Sequence, residues 1–159
     1  MPTITSAKRE DSDRILSIAT EVGVFSPTEI ATVGELLQDS LTKSDGGGYT
    51  FLVYRDEAGQ VLGFTVYGPH PLTAGTYDLY WLCVSTSAQG HGVGTALLRR
   101  VEEDLQALGG RLLIAETSST PGYGPARRFY ERHGFAREAV IRDFYAPGDS
   151  LVIYTKHIQ

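Results

Sequence analysis

The feature that most constrains the fold is a glycine-rich turn, Gln89–Gly94 (QGHGVG), which lies between a buried strand and an amphipathic helix. The strand is the apolar stretch Leu79–Val84, and apolar residues recur at helical spacing from Val93 onwards. Glycines leave the backbone N–H groups of such a turn accessible, and a helix N-terminus adds partial positive charge. The turn therefore predicts an anion cradle for a phosphate or pyrophosphate; the alternative is a tight connection that binds nothing.

Two familiar phosphate-binding motifs do not fit this turn. The dinucleotide fingerprint needs the pattern Gly-x-Gly-x-x-Gly, and here the third glycine, Gly94, comes one residue early. The P-loop needs a lysine before its Ser or Thr, and Gly94 is followed directly by Thr95. A dinucleotide-binding fold and a P-loop nucleotidase are therefore both disfavoured.

Hydrophobic periodicity divides the rest of the chain into strands and helices. The predicted strands are residues 3–5, 49–54, 61–67, 76–84, 111–115, 137–145 and 151–156, and the predicted helices are residues 11–22, 28–41, 93–108 and 126–133. The order β-α-α-β-β-β-α-β-α-β-β indicates an α/β fold of the α+β type, with a mixed sheet of about seven strands and four flanking helices. The apolar stretch Leu79–Val84 is typical of a central strand buried on both faces. We expect residues 1–159 to form a single domain.

Composition excludes several classes of protein. Nineteen acidic against fourteen basic residues give a net charge of −5, which disfavours a nucleic-acid or anionic-membrane surface. No apolar run approaches the ~18 residues that a membrane span needs. The single cysteine, Cys83, and four histidines without ligand spacing predict no disulfide and no metal site, which suits a cytoplasmic protein.

A family pattern does fit the turn. The sequence matches Gln/Arg-x-x-Gly-x-Gly/Ala at every fixed position, and residues 126–135 match a second pattern, Ala-x-x-x-Tyr-x-x-x-Gly-Phe. In this order the two patterns resemble the signatures of the GNAT superfamily of N-acetyltransferases. The resemblance spans nearly the whole chain, from Ile4 to the strand at Leu151–Tyr154.

The resemblance implies a GNAT-like fold and acetyl-CoA as cosubstrate, without a metal. The turn would bind the pyrophosphate, and the end of the fourth strand would bind the pantetheine arm through its backbone. The implied cofactor-binding residues are Leu82, Cys83, Val84, Gln89, Gly90, His91, Gly92, Val93, Gly94 and Thr95. One departure is Tyr123, which stands where many family members carry an asparagine that contacts the pantetheine arm.

The resemblance also implies catalytic residues. Tyr130 occupies the position of the family's general acid, and its phenol is protonated at neutral pH; the alternative is a core aromatic. Asp78 resembles in spacing the family's strand glutamate, which acts as base, and Glu116 is the competing acid. Cys83 as a nucleophile is disfavoured because no basic neighbour in the sequence lowers its pKa.

These residues predict transfer of an acetyl group to a primary amine of a small molecule or peptide by direct attack. Glu29 and Glu35 of the second predicted helix, with Asp78 and Glu116, would attract the cationic acceptor between the N-terminal helices and the last two strands; the alternative is that these are scattered surface acids of an acidic protein. The alternatives are a non-catalytic CoA-binding sensor and an acyltransferase that uses a longer acyl chain or an O-linked acceptor. We expect the last strand to be exposed, where it would support a homodimer.

Overall fold

The structure, a computed structural model that describes residues 1–158, forms seven strands and four α-helices from these residues. The strands are β1 Thr3–Ser6, β2 Thr50–Arg55, β3 Val61–Pro69, β4 Thr76–Val84, β5 Leu112–Ser118, β6 Ala136–Ala146 and β7 Asp149–His157. The helices are α1 Ser12–Val22, α2 Pro27–Thr42, α3 Val93–Ala107 and α4 Gly124–Arg132. The predicted element order and the α/β class with a mixed sheet are confirmed.

The sheet has the strand order β1-β2-β3-β4-β5-β7-β6, and only β4 and β5 pair in parallel. The prediction of an exposed last strand is wrong, because β7 lies between β5 and β6. The edge strand on this side is β6, which is exposed along its whole length. The homodimer stays a prediction, and β6 rather than β7 is the strand available for it.

Each face of the sheet is covered by one pair of helices, and each pair encloses a hydrophobic cluster. Ile15 of α1 and Val33 of α2 pack with Phe64 on one face. Leu97 of α3 and Tyr130 of α4 pack in the cluster on the other face. Apolar residues at helical spacing dictate this arrangement, since each helix buries one stripe against the sheet.

The centre of the sheet opens where β4 and β5 part. Their pairing ends at Leu79 and Ala115, whereas β3 stays paired with β4 as far as Val84. A bulge places Tyr80 opposite no residue of β3, at the point where the two parallel strands separate. Residues 80–84 of β4 therefore keep one backbone edge free of strand partners.

The prediction that Leu79–Val84 is a central strand buried on both faces is confirmed only in part. Leu79 and Cys83 lie in the hydrophobic clusters on the two faces of the sheet. Tyr80, however, is 37% exposed, and three further residues of the stretch are half-buried. The stretch is less buried than predicted because its side chains also line two cavities at the opening of the sheet.

A buried ion pair ties the start of α1 to β2. The Arg55 guanidinium donates to both carboxylate oxygens of Asp11, at 3.0 and 2.6 Å, and Asp11 is 5% exposed. Burial acts to raise the pKa of Asp11, but hydrogen bonds from Arg55 and the Lys8 backbone N–H outweigh it and hold this pKa below its usual value. The pair therefore stabilises the fold when Asp11 is charged.

We expect Arg55→Met to lower the free energy of unfolding by about 3 kcal/mol at pH 7, because it leaves a buried charge without its partner. A group whose pKa is depressed by folding contributes stability above its unfolded pKa, about 3.9, and loses it as pH falls through the folded value. The difference in the free energy of unfolding between Arg55→Met and wild type should therefore become smaller in acid, as measured by urea unfolding. Glu57→Gln, which removes an exposed pair with the N-terminus, is the control and should change nothing measurable.

Candidate active site

The glycine-rich turn has the backbone geometry of an anion site. Gly90 and Gly92 have φ angles of +81° and +82°, a region that residues with a Cβ rarely adopt. An added Cβ would meet no atom within 4 Å at either position, so both glycines face open space. Gly92 caps α3, whose first internal hydrogen bond runs from the Ala96 N–H to the Gly92 carbonyl. The N–H groups of residues 93–95 are thus left without a partner inside the helix.

Side chains hold this turn against the preceding strand. The Gln89 side-chain amide donates to the Val84 carbonyl at 3.3 Å. Glu21 of α1 accepts hydrogen bonds from the Ser85 hydroxyl at 3.0 Å and the Thr86 backbone N–H at 3.1 Å. The turn is therefore fixed before any ligand binds, which keeps the entropy of ordering it low.

A cavity of about 310 Å³ lies between this turn, the free edge of β4 and α4. Nine of the ten predicted cofactor-binding residues line it: Leu82, Cys83, Val84, Gln89, Gly90, Gly92, Val93, Gly94 and Thr95. His91 lies beside it, with its Nδ1 3.3 Å from the Ala88 carbonyl oxygen. Arg132, at the end of α4, also lines the cavity, and the sequence reading did not single it out.

Tyr130 lies at the inner wall of this cavity. It is 8% exposed, and its ring packs against Phe129, Phe135 and Tyr154. Its hydroxyl makes no hydrogen bond to any residue from 1 to 158. Burial raises the pKa of this phenol well above its ordinary value, with a small contribution from Cys83. The hydroxyl is thus a protonated donor that no described residue uses.

Cys83 also lines this cavity, but its thiol is not suited to act as a nucleophile. It is 2% exposed, and burial raises the pKa of its thiol to about 12. Because the thiolate is the nucleophilic form, the thiol is unreactive at neutral pH.

A second cavity, of about 510 Å³, opens on the other side of the gap between β4 and β5; it is named the acceptor cleft below. Three carboxylates predicted from the sequence, those of Glu29, Asp78 and Glu116, line it. The two cavities follow each other along β4: residues 78–81 line the acceptor cleft, and residues 82–84 line the first cavity.

The Asp78 carboxylate contacts a histidine and a tyrosine. Its Oδ2 lies 2.8 Å from His70 Nδ1 and 3.5 Å from the Tyr80 hydroxyl. The Asp78 side chain is 18% exposed, whereas that of His70 is 50% exposed. Asp78 therefore lies between the cleft and a histidine that reaches solvent.

The central part of the chain matches a known protein family. Residues 47–137 match the model of the acetyltransferase (GNAT) domain. The crystal structure of a protein from Desulfovibrio desulfuricans assigned to the GNAT family is 38% identical, each chain covers 100% of the other, and the TM-score is 0.96. The chain belongs to the GNAT family of acetyltransferases.

Other GNAT-family structures share the fold at low sequence identity. The yncA protein of Salmonella typhimurium, solved with its cofactor acetyl-CoA, is 20% identical, with 100% and 95% of the two chains covered and a TM-score of 0.73. An aminoglycoside 6'-N-acetyltransferase complexed with coenzyme A is 16% identical, with coverages of 99% and 97% and a TM-score of 0.75. None of the curated proteins matches the chain in sequence.

Among residues 1–158, none of the helices has the length and hydrophobicity of a membrane-spanning segment. No group of three or more His, Cys, Asp or Glu side chains in the same range is arranged to hold a metal ion.

Three further residues of this GNAT site were not predicted from the sequence. Tyr145 and Asp149 flank the β6–β7 turn and line the acceptor cleft, together with Tyr80. Tyr80 was predictable from the sequence, because it lies two residues after Asp78 and every second side chain of a strand lies on the same face. The other two become visible only once β7 is placed beside β5. Tyr123, the departure from the family pattern, lines the acceptor cleft rather than the first cavity.

Proposed function

We propose that this chain is an N-acetyltransferase that transfers the acetyl group of acetyl-CoA to a primary amine by direct attack. One observation carries the proposal: consecutive segments of β4 line the two cavities, residues 82–84 together with the Tyr130 donor in the first and residues 78–81 with the proton acceptor Asp78 in the acceptor cleft. We propose further that residues 1–159 act as a single domain, since both hydrophobic clusters pack on one sheet. A cytoplasmic location stays the prediction made from the single free cysteine.

The residues of the first cavity suit acetyl-CoA. The N–H groups at the start of α3, with Gly90 and Gly92, provide donors and positive partial charge for the pyrophosphate without a basic surface. The free edge of β4 at Leu82–Val84 supplies backbone groups for the amides of the pantetheine arm. Acetyl-CoA, when bound, supplies a thioester whose carbonyl carbon accepts the amine.

The proposed reaction includes three proton transfers. Asp78 takes a proton from the acceptor's ammonium group, and His70 stabilises the carboxylate and connects it to solvent. The neutral amine nitrogen then forms the new C–N bond as the C–S bond breaks. Tyr130 donates its hydroxyl proton to the departing sulfur and regains one from the nitrogen, so the products are an acetamide and free CoA thiol.

Direct attack is favoured over an acetyl-enzyme route. The only cysteine is held as a thiol by burial, with a pKa of about 12. An acetylated Cys83 would also place its acetyl group where the side chain is 2% exposed. A ternary complex of amine and acetyl-CoA therefore fits the site better.

Asp78→Asn tests the base. We expect kcat/KM to fall about tenfold to a hundredfold at pH 7, because a general base contributes at least that much. The deficit should shrink as the pH approaches the amine pKa, about 10 for an alkylamine like lysine, since more of the substrate arrives neutral. Glu116→Gln is the matched control; if it alone shows the pH-recoverable loss, Glu116 is the base and the assignment of Asp78 is wrong.

A panel of amines with detection of released thiol tests the function as a whole. Acetyl-CoA consumption that depends on an amine supports the proposal. Tight CoA binding in calorimetry without thiol release from any acceptor would instead favour the sensor. Faster release from a longer acyl-CoA, or from an alcohol acceptor, would favour the other acyltransferases considered above.

A further inference from the structure

The acceptor cleft has a strongly one-sided charge. Four carboxylates line it, and no lysine or arginine of the described residues is among its lining. They come from four separate elements, α2, β4, β5 and β7, and are Glu29, Asp78, Glu116 and Asp149. A cleft lined by one sign of charge concentrates ligands of the opposite sign.

Two of these carboxylates form an inner pair beside the opening of the sheet. Asp78 and Glu116 lie on the two strands that part, and the Tyr80 hydroxyl lies 3.5 Å from the Asp78 Oδ2. The pKa of Tyr80 is raised to about 12 by burial and then by Asp78, with a smaller contribution from Glu116. Asp78 lies on the same strand as residues 82–84, which line the first cavity.

The other two carboxylates form an outer pair. Glu29 and Asp149 both act on the Tyr123 phenol, whose pKa is raised to about 12 by burial and then by Glu29. Tyr145 also lines the cleft, and its pKa is raised by burial and then by Glu116, Asp149 and Glu29. The cleft thus holds two negative centres, one on the parting strands β4 and β5 and one contributed by α2 and β7.

Among residues 1–158, the outer pair has hydrogen-bond partners but forms no salt bridge. Glu29 accepts from the backbone N–H of Ser26 at 2.9 Å, and Asp149 accepts from the Ser118 hydroxyl. These neutral donors orient the carboxylates and leave their charge in place. An amine with one nitrogen must lose its own charge to react, so it cannot compensate the outer pair.

The lining also holds an unused polar group and aromatic faces. Thr117, which is 4% exposed and lines the cleft, has a buried hydroxyl without a hydrogen-bond partner within residues 1–158. A buried hydroxyl left unpaired is unfavourable, and a polar ligand atom would relieve it. The rings of Phe25 and Trp81 offer faces for a cation, and about 510 Å³ is far more room than one ammonium group fills.

We propose that the acceptor is a small dication: one amine is held by the inner pair and acetylated, while a second cationic nitrogen stays charged against the outer pair. The proposal rests on the acetyltransferase function above and names the chemical class of its acceptor.

The test compares three acceptors of equal chain length: an α,ω-diamine, the n-alkylamine and the ω-amino acid. We expect kcat/KM for the diamine to exceed that of the monoamine by about tenfold or more, mainly through KM, and the amino acid to be the poorest. Added salt should lower the ratio of diamine to monoamine kcat/KM, because it screens the attraction between the charges. Calorimetry with the same three compounds should give the same order of affinity without any turnover.

Equal kcat/KM for diamine and monoamine, with equal affinities, would overturn the dication while leaving the acetyltransferase proposal intact. Tighter diamine binding without acetylation of any amine would support the dication and count against the acetyltransferase. The two proposals therefore fail in different measurements.

Variants of the outer pair locate the second cation. Glu29→Gln keeps the hydrogen bond to Ser26, because glutamine also serves at that position of a helix cap, and Asp149→Asn keeps an acceptor for Ser118. We expect the double variant to bring the ratio of diamine to monoamine kcat/KM close to one. Glu35→Gln, which removes an exposed charge of α2 outside the cleft, is the matched control and should preserve the ratio. An unchanged ratio in the double variant would contradict the assignment.

Discussion

Tyr130→Phe is expected to lower kcat by about a hundredfold to a thousandfold, the range that a positioned general acid contributes. The affinity for acetyl-CoA should change little, because the ring stays in the cavity wall and only the hydroxyl is lost. The hydroxyl has no partner within residues 1–158, so its removal should also leave the free energy of unfolding nearly unchanged. Steady-state kinetics, calorimetry and urea unfolding measure the three quantities.

The control for this variant is Tyr54→Phe. Tyr54 is a half-buried tyrosine of β2 that packs against the same hydrophobic cluster but lines neither cavity. We expect Tyr54→Phe to keep the wild-type kcat. If Tyr130→Phe keeps wild-type turnover across the pH range, Tyr130 is a core aromatic and another group protonates the sulfur.

Gly92→Asp is expected to have the largest effect on cofactor binding. At φ +82° aspartate is among the residues that tolerate the left-handed region, so the chain should still fold. Its carboxylate would extend into the open space in front of the α3 N-terminus. We expect the Kd for acetyl-CoA to rise about a hundredfold or more, since like charges placed together cost several kcal/mol.

Two further variants separate the causes. Gly92→Asn has the same shape without the charge, and we expect it to weaken binding only about tenfold. Gly59→Asp places the same residue at φ +83° in the β2–β3 turn, also facing open space but outside both cavities. It should leave the Kd unchanged. Normal acetyl-CoA affinity in Gly92→Asp would show that the turn is only a connection between strand and helix.

Local elements of the fold were predictable because their signals are local. The glycines at the turn, the apolar stripe that begins at Val93 and the Ser26 cap of α2 each depend on residues close together in the chain. The two GNAT signatures are likewise continuous stretches. Fold class, family and the residues around the first cavity therefore followed from the sequence.

The acceptor side was predictable only in part. Strand spacing brought Asp78 and Glu116 into consideration, but their nearest partners come from elsewhere: His70 from the β3–β4 connection and Asp149 from the start of β7. The insertion of β7 between β5 and β6 has no local signature. It depends on which strand pairs most favourably with the free side of β5.

By itself, the sequence determined that the chain builds a glycine-rich turn ahead of a helix and presents a tyrosine on the next helix. Both follow from residues within a few positions of each other, whose backbone preferences act wherever the chain folds. The tertiary structure decided that β4 and β5 part at Leu79 and that four carboxylates from four elements meet in one cleft. Such a cleft results from strand order and packing across long sequence separations, which local preference does not encode.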